Sequence, residues 1–232
     1  MKIAVISDIH SNFNALKEVI YAINKSDCDF KICLGDMVGY YDKPHEVIEC
    51  LKYYDFKCIK GNHDRYMTGE IKYNIKNKDI YGIERQRKLL SSEDILFLKN
   101  CTDYFEFQYK NKKYCFCHSL KDDCEVYLKD ENDILNRFND IEKYDYYFYG
   151  HTHRKKYFNI KNHVIINPGS VGQQRDRSFK PSFCIMDVGR EEWKIISAEY
   201  DIKKYVCSLI KKGYDKRLTD IFTRKEDYNQ AF

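Results

Sequence analysis

Apolar runs alternate with stretches of helical periodicity along this chain, and the runs end in polar segments of one chemical kind. Residues 2–7 are nearly all apolar and lead into Asp8-Ile9-His10. Residues 30–34 lead into Gly35-Asp36, and 56–59 into Gly61-Asn62-His63-Asp64. Cys117-His118 closes the run 113–118, and 144–149 leads into Gly150-His151-Thr152-His153. Near-continuous apolar runs suit strands buried on both faces. Between them, Phe13, Leu16, Val19, Ile20 and Ile23 form one helical stripe, and Val47, Ile48 and Leu51 form another behind Pro44. Such alternation predicts βαβ units with right-handed crossovers. Loops that follow parallel strands share one rim of the sheet, and that rim is where open α/β sheets bind ligands. Segments distant in sequence are thereby expected to meet.

The remainder of the chain predicts a mixed architecture. The stretch 66–100 is rich in Lys and Asn and reads as a helical lid or side insertion, with Ser91-Ser92-Glu93-Asp94 opening a helix over Ile95, Leu96 and Leu98. Residues 104–110 and 113–118 predict a hairpin, 131–141 a short helix, and 156–160 with 163–167 and 182–188 with 193–200 two further strand pairs. A last helix over 201–212 would bury Ile202, Tyr205, Val206, Leu209 and Ile210 and stop at Gly213. Residues 214–232 are polar and weakly patterned. All 232 residues are expected to form one domain.

The polar segments carry hard-to-borderline metal donors. Asp8 and His10 flank Ile9, so both polar groups can face one side while Ile9 turns inward; a helix cap is the competing reading. Asp36 has two carboxylate oxygens and can bridge two cations. Asn62 offers a neutral oxygen, and His63 beside it would face a substrate. His151 and His153 stand two apart on an extended turn and can reach neighbouring cations. His118 ends its own strand. His45 and His163 lack such context and read as surface residues. Two divalent cations about 3.5–4 Å apart suit water attack on a phosphate ester.

Bulk composition narrows the alternatives. The hydrophobic fraction of 43% supports a real core, and a net charge of +4 gives no general basis for nucleic-acid binding. No apolar run is long enough to cross a bilayer. Ten cysteines in a chain without a secretory signal read as reduced thiols of a cytoplasmic protein. Cys115 and Cys117 fall on one face of a strand and read as core residues rather than ligands. Asn167-Pro168-Gly169-Ser170-Val171-Gly172 reads as a rigid turn under the site. Arg175 and Arg177 follow it, suited either to phosphate or to a solvated loop. Tyr40 and Tyr41 could flank a substrate ring or simply pack.

Together these segments resemble the calcineurin-like metallophosphoesterases, with the pattern D-x-H, G-D, G-N-H-[DE], H and G-H-x-H. Residues 167–176 resemble the N-P-G-S-x-G-x-x-R of the small bacterial and archaeal phosphodiesterase-like branch. The resemblance implies an α/β fold, a four-layer α-β-β-α sandwich of two mixed β-sheets flanked by helices. It implies one metal held by Asp8, His10, Asp36 and His153, and a second by Asp36, Asn62, His118 and His151. Asp36 and a hydroxide would bridge them, and the hydroxide would attack phosphorus. Catalytic roles fall on His63, Asn62 and Asp36, and Tyr40 and Arg175 are candidate substrate contacts. Manganese is the foremost cation, with Fe, Ni, Co or Zn as alternatives. The expected partner is a small phosphoester, nucleotide-derived among others. Membrane and nucleic acid are not expected, and homo-oligomerisation stays open. The protein-phosphatase branch carries G-D-x-V-D-R-G, where this chain has Gly35-Asp36-Met37-Val38-Gly39-Tyr40. Gly39 thus leaves His63 without an orienting carboxylate, and Tyr40 stands in place of a phosphate-binding arginine. A non-catalytic scaffold on the same fold and a nuclease are the alternative functions.

Overall fold

The computed structural model describes residues 1–176 and 178–222. Arg177, read above as a phosphate contact or loop residue, and the tail beyond 222 lie outside the described residues. The first half contains β1 (Lys2–Ile6), α1 (Phe13–Asn24), β2 (Phe30–Cys33), α2 (Pro44–Tyr53), β3 (Lys57–Cys58) and α3 (Asn62–Thr68). A 3-10 turn (Ile75–Asn77), α4 (Lys78–Tyr81), α5 (Ile83–Arg87) and α6 (Ser92–Asn100) complete it. The second half contains β4 (Tyr104–Tyr109), β5 (Lys112–Cys117), α7 (Glu131–Asn136), α8 (Phe138–Ile141), β6 (Tyr146–Phe148), β7 (Lys155–Ile160) and β8 (His163–Pro168). It ends with β9 (Ser182–Asp187), β10 (Glu192–Ser197), α9 (Ile202–Lys211) and α10 (Lys216–Asp220).

Two five-stranded mixed sheets result, ordered β10-β9-β1-β2-β3 and β4-β5-β6-β8-β7. In the first, β1, β2 and β3 run parallel, β9 pairs antiparallel with β1, and β10 pairs antiparallel with β9. In the second, β5, β6 and β8 run parallel, with antiparallel edges β4 and β7. Side-chain alternation sorts each strand between two cores. Ile3 and Val5 of β1 meet Tyr114 and Phe116 of β5 and Phe148 of β6 between the sheets. Ala4 and Ile6 face the other way, toward Leu16 and Val19 of α1 and Val47 of α2. Cys115 and Cys117 point outward beneath Ile134 of α7 and Ile141 of α8, as free core thiols. Helices thus cover the outer face of both sheets, giving the expected α-β-β-α sandwich.

Local details depart from the sequence reading. The segment 131–141 is broken at Arg137 into α7 and α8. The weakly patterned stretch after 214 contains α10, capped by the Asp215 side chain. Ile210, read as part of the apolar stripe of its helix, is exposed, as is Leu96. Only Tyr205 and Leu209 of α9 are fully buried, because the helix meets a narrow target, the Tyr40-Tyr41 loop. Asp94 and Ser91 cap α6 reciprocally, as that motif predicts. Among the described residues no helix is long and apolar enough to cross a membrane.

Candidate metal centre

Five strands deliver the donors. β1 ends one residue before Ser7-Asp8, β2 before Leu34-Gly35-Asp36, and β3 shortly before Gly61-Asn62. His118 directly follows β5, and Tyr149-Gly150-His151 follows β6. Backbone bonds tie these exits together: Asp8 N–H donates to Gly35 O at 3.0 Å, His10 N–H to Asp36 O at 2.9 Å, and Gly150 N–H to His118 O at 2.8 Å. Asp8, His10, Asp36, His151 and His153 all adopt left-handed backbone, with φ between 49° and 63°. Such conformations cost of order 1–3 kcal/mol each and concentrate at functional sites.

Two donor groups form. Asp8, His10, Asp36 and His153 converge in one, and Asp36, His118 and His151 in the other, all buried. Asn62 joins the second, with its Oδ1 3.1 Å from His118 Nε2. Asp36 Oδ2 stands 3.5 Å from His10 Nε2 and 3.5 Å from His118 Nε2, so one oxygen faces both groups. Asp36 Oδ1 accepts the His63 N–H at 2.8 Å, which fixes the carboxylate's rotation.

Ring hydrogen bonds settle which nitrogen faces inward. Nδ1–H of His10, His118 and His153 donates to Val38 O, Leu34 O and Gln173 O at 2.9–3.0 Å. Their Nε2 lone pairs therefore point into the site. His151 is reversed: Nε2–H donates to Glu125 O at 3.2 Å and Nδ1 is left as the donor atom. Lone pairs consequently meet. His10 Nε2 lies 3.0 Å from His153 Nε2, and His153 Nε2 lies 3.4 Å from Asp8 Oδ1. Asp8 Oδ1 is buried and has no hydrogen-bond partner. Donors bound to one ion at about 2.1 Å stand roughly 3.0–3.4 Å from each other. The observed spacing, the facing lone pairs and the orphaned oxygen all fit a cation.

Titration behaviour reflects the same deficit of positive charge. Burial pushes Asp8 up to about 7, and Asp36 adds to this against the pull of His118. Burial would depress His118, but Asp36, its hydrogen bond and Asp8 outweigh that and raise it to about 10. Burial, aided by His118, lowers His151 to about 3, and burial lowers His63 to about 4. Among the site imidazoles the carboxylates thus draw His118 alone toward its charged form, and a bound cation would take the place of that proton on Nε2.

A cavity of about 120 Å³ opens over the two groups, lined by Asp36, Asn62, His63, His151, His153 and an outer ring of side chains. Asn62 and His63 begin helix α3 rather than lying in a loop. The Asp64 carboxylate pins this helix to the Asp36 loop by accepting N–H groups from Asp36, Met37, Val38 and Gly61 at 2.8–3.2 Å. His63 Nδ1 is buried without a partner. A Cβ on Gly39 would sit 2.3 Å from it, so position 39 excludes an orienting side chain. Aromatic rings hold His63 instead: Tyr40, Tyr81 and Tyr66 have centroids 4.6, 4.7 and 5.3 Å away.

Tyr40 and Arg175, the candidate substrate contacts, both line the cavity. Tyr41 does not; it is fully buried against Tyr205, Leu218 and Phe222 on the far side of its loop, so it packs rather than flanks a substrate. The Asn167 turn lies under the site as expected: its Nδ2 donates to Gly150 O at 2.6 Å, and Ser170 Oγ donates to Asp8 O at 2.7 Å. His45 is exposed and bonds Asp94 at 2.9 Å, and His163 Nδ1–H donates to Tyr144 O at 2.7 Å. His45, Glu49 and Asp94 also come close together, but Asp94 Oδ2 is already occupied by Ser91 and His45. Sequence reading missed Tyr66, Tyr81, Glu125 and Tyr127, all on the cavity wall. Tyr66 and Tyr81 belong to the short helices α3 and α4, and Glu125 and Tyr127 to an irregular stretch, so no sustained periodicity marks an inward face.

Residues 1–191 match the family model of the calcineurin-like phosphoesterase superfamily domain. The chain is 35% identical over 230 residues to uncharacterized protein MJ0912 of Methanocaldococcus jannaschii, covering 90% of this chain and 92% of that one. Its fold is similar to hypothetical protein PH1004 of Pyrococcus horikoshii, with a TM-score of 0.84, 18% identity and coverage of 95% and 97%. It is also similar to a metallophosphoesterase from Sphaerobacter thermophilus, with a TM-score of 0.78, 22% identity and coverage of 96% and 98%. Sequence match, fold and the buried His/Asp groups agree, and the chain belongs to the calcineurin-like phosphoesterase superfamily.

Proposed function

We propose that the protein is a phosphoester hydrolase that works with two divalent cations, one held by Asp8, His10, Asp36 and His153 and the other by Asp36, Asn62, His118 and His151. The observation that carries this reading is Asp36 Oδ2, equidistant at 3.5 Å from an imidazole of each group. Bound there, a cation pair lowers the pKa of a water and neutralises charge developing on the phosphoryl group. The chain's own residues supply orientation. Asp36 is locked by the His63 N–H, and every donor imidazole is locked by a backbone carbonyl. His63 lines the cavity beside these donors, wedged between tyrosine rings, where it can contact the phosphate or, once the negative charge of a bound phosphate raises it from about 4, give a proton to the leaving oxygen. Tyr66 and Tyr81, from the helical insertion that begins within the Gly61-Asn62-His63-Asp64 motif, wall the same side as a fixed lid. In the net reaction a water oxygen bonds to phosphorus, the ester P–O bond breaks, and the leaving oxygen takes a proton.

The test is a metal-reconstituted assay against a panel of aryl phosphomonoesters and phosphodiesters, with Mn, Fe, Co, Ni and Zn each supplied. Turnover is expected in wild type, and Asp36→Asn and His151→Ala should each lower kcat by at least about 100-fold. Metal-replete wild type that hydrolyses nothing in the panel, or full activity in either variant, contradicts the proposal and turns attention to a binding role for the same fold.

A further inference from the structure

We infer that the Arg175 guanidinium receives a terminal, doubly charged phosphoryl group, so that this site prefers phosphomonoesters to phosphodiesters. The inference rests on the hydrolase reading above and narrows its substrate class. Arg175 is a half-buried cation that no carboxylate among the described residues pairs with. Asp176 beside it pairs with Lys155 at 3.2 Å instead. The Arg175 Nε and Nη2 donate to Gln173 Oε1 at 3.2 and 2.9 Å. Nη2 also reaches the Tyr40 hydroxyl at 3.4 Å, and Nη1 reaches the Tyr127 hydroxyl at 3.3 Å. A guanidinium carries five N–H donors. One is left over, and the two long bonds to hydroxyls exchange readily for shorter bonds to an anionic oxygen.

The guanidinium is also aimed. Arg175 N–H donates to His153 O at 3.0 Å, while Gln173 O accepts from His153 Nδ1 at 2.9 Å. One three-residue segment therefore fixes both a candidate metal donor and the positive fork beside it. Arg175, Tyr40 and Tyr127 line the same cavity of about 120 Å³ as Asp36, Asn62, His63 and His151. Their hydroxyl–guanidinium–hydroxyl bridge closes one side of it. A phosphomonoester offers three terminal oxygens and a charge of about −1.5 to −2 near neutral pH, matching a charged fork on a closed wall. A diester has one fewer terminal oxygen, one negative charge and a second organic group that this wall would exclude. Hydrolysis of the monoester adds one water across the P–O bond and yields an alcohol and inorganic phosphate.

The test compares kcat/KM for p-nitrophenyl phosphate and bis(p-nitrophenyl) phosphate in metal-loaded wild type and Arg175→Gln. Wild type should favour the monoester, and the variant's monoester-to-diester ratio should fall on the order of 10- to 100-fold, the range for a lost charged hydrogen bond. A wild-type preference for the diester, or an unchanged ratio in the variant, overturns the inference. Calorimetric binding of inorganic phosphate and of dimethyl phosphate separates it from the hydrolase reading. Tighter phosphate binding in wild type that weakens selectively in the variant supports the Arg175 role even where no ester turns over. Equal loss of both ligands, or no loss, counts against it. Should Arg175→Gln not fold, Arg175→Lys carries the test. It keeps the charge but not the fork, and should lower phosphate affinity at least about 5-fold relative to dimethyl phosphate.

Discussion

At the scale of single residues, the candidate centre depends on backbone geometry as much as on its donors. Gly61 sits at ordinary negative φ, yet a Cβ there would come within 2.2 Å of Asp36 Oδ1 and 2.5 Å of Asp36 N. Gly61→Ala should therefore cost about 1–3 kcal/mol of unfolding free energy in urea, the range for overpacking a close-packed site. It should also weaken metal uptake by turning Asp36; a variant with wild-type stability and metal content would contradict this. The candidate donors could be picked out of the sequence because each follows an apolar run and has a distinctive neighbour, as His151 and His153 do on their shared turn. The role of Asp64 was not legible. Its four backbone hydrogen bonds depend on α3 lying against the Asp36 loop, a long-range contact that spacing does not encode.

At the scale of elements, helix α5 and the C-terminal helices grip the Gly39-Tyr40-Tyr41 loop from two sides. From α5, Gln86 accepts the Gly39 N–H at 2.8 Å and donates to Tyr41 O at 2.6 Å, and Arg85 donates to Tyr40 O at 2.9 Å. From the other side, Tyr41 packs against Tyr205 and Leu209 of α9 and Leu218 of α10, and Tyr205 Oη reaches Asp42 at 3.3 Å. β10, α9 and α10 lie beyond the 1–191 segment matched by the family model, so these helices add a brace to the family core. Leu209→Ala should lower unfolding free energy by about 2–5 kcal/mol and raise amide exchange across residues 39–42, read by hydrogen exchange of the metal-loaded protein. Unchanged exchange there would argue against bracing. Strands and long helices were readable because packing on both faces imposes period and hydrophobicity. Helix α10 and the break at Arg137 were not, because each segment buries too few side chains to leave a pattern.

At the scale of the whole molecule, both sheets converge on one rim and the centre sits at their junction. Asp8, Asp36 and Asn62 follow strands of the first sheet, and His118 and His151 follow strands of the second. A cation pair shared through Asp36 would then staple the two halves together. At a metal concentration about 100-fold above Kd, such binding stabilises by roughly 2.7 kcal/mol, equivalent to about 5–10 °C in Tm for a chain of this size. A chelator should lower Tm by that amount, and divalent cation should restore it. A Tm indifferent to both would argue against the staple. This convergence was legible in outline, since every ligand segment was placed at a strand end. The tyrosine and glutamate wall was not, because it comes from short helices and a connection whose placement only the assembled fold defines. The most direct test is anomalous diffraction from crystals grown with manganese. Two peaks per chain are expected, one among Asp8, His10 and His153 and one among Asn62, His118 and His151, with Asp36 Oδ2 between them. A single peak, or density away from Asp36, would contradict a shared two-metal centre.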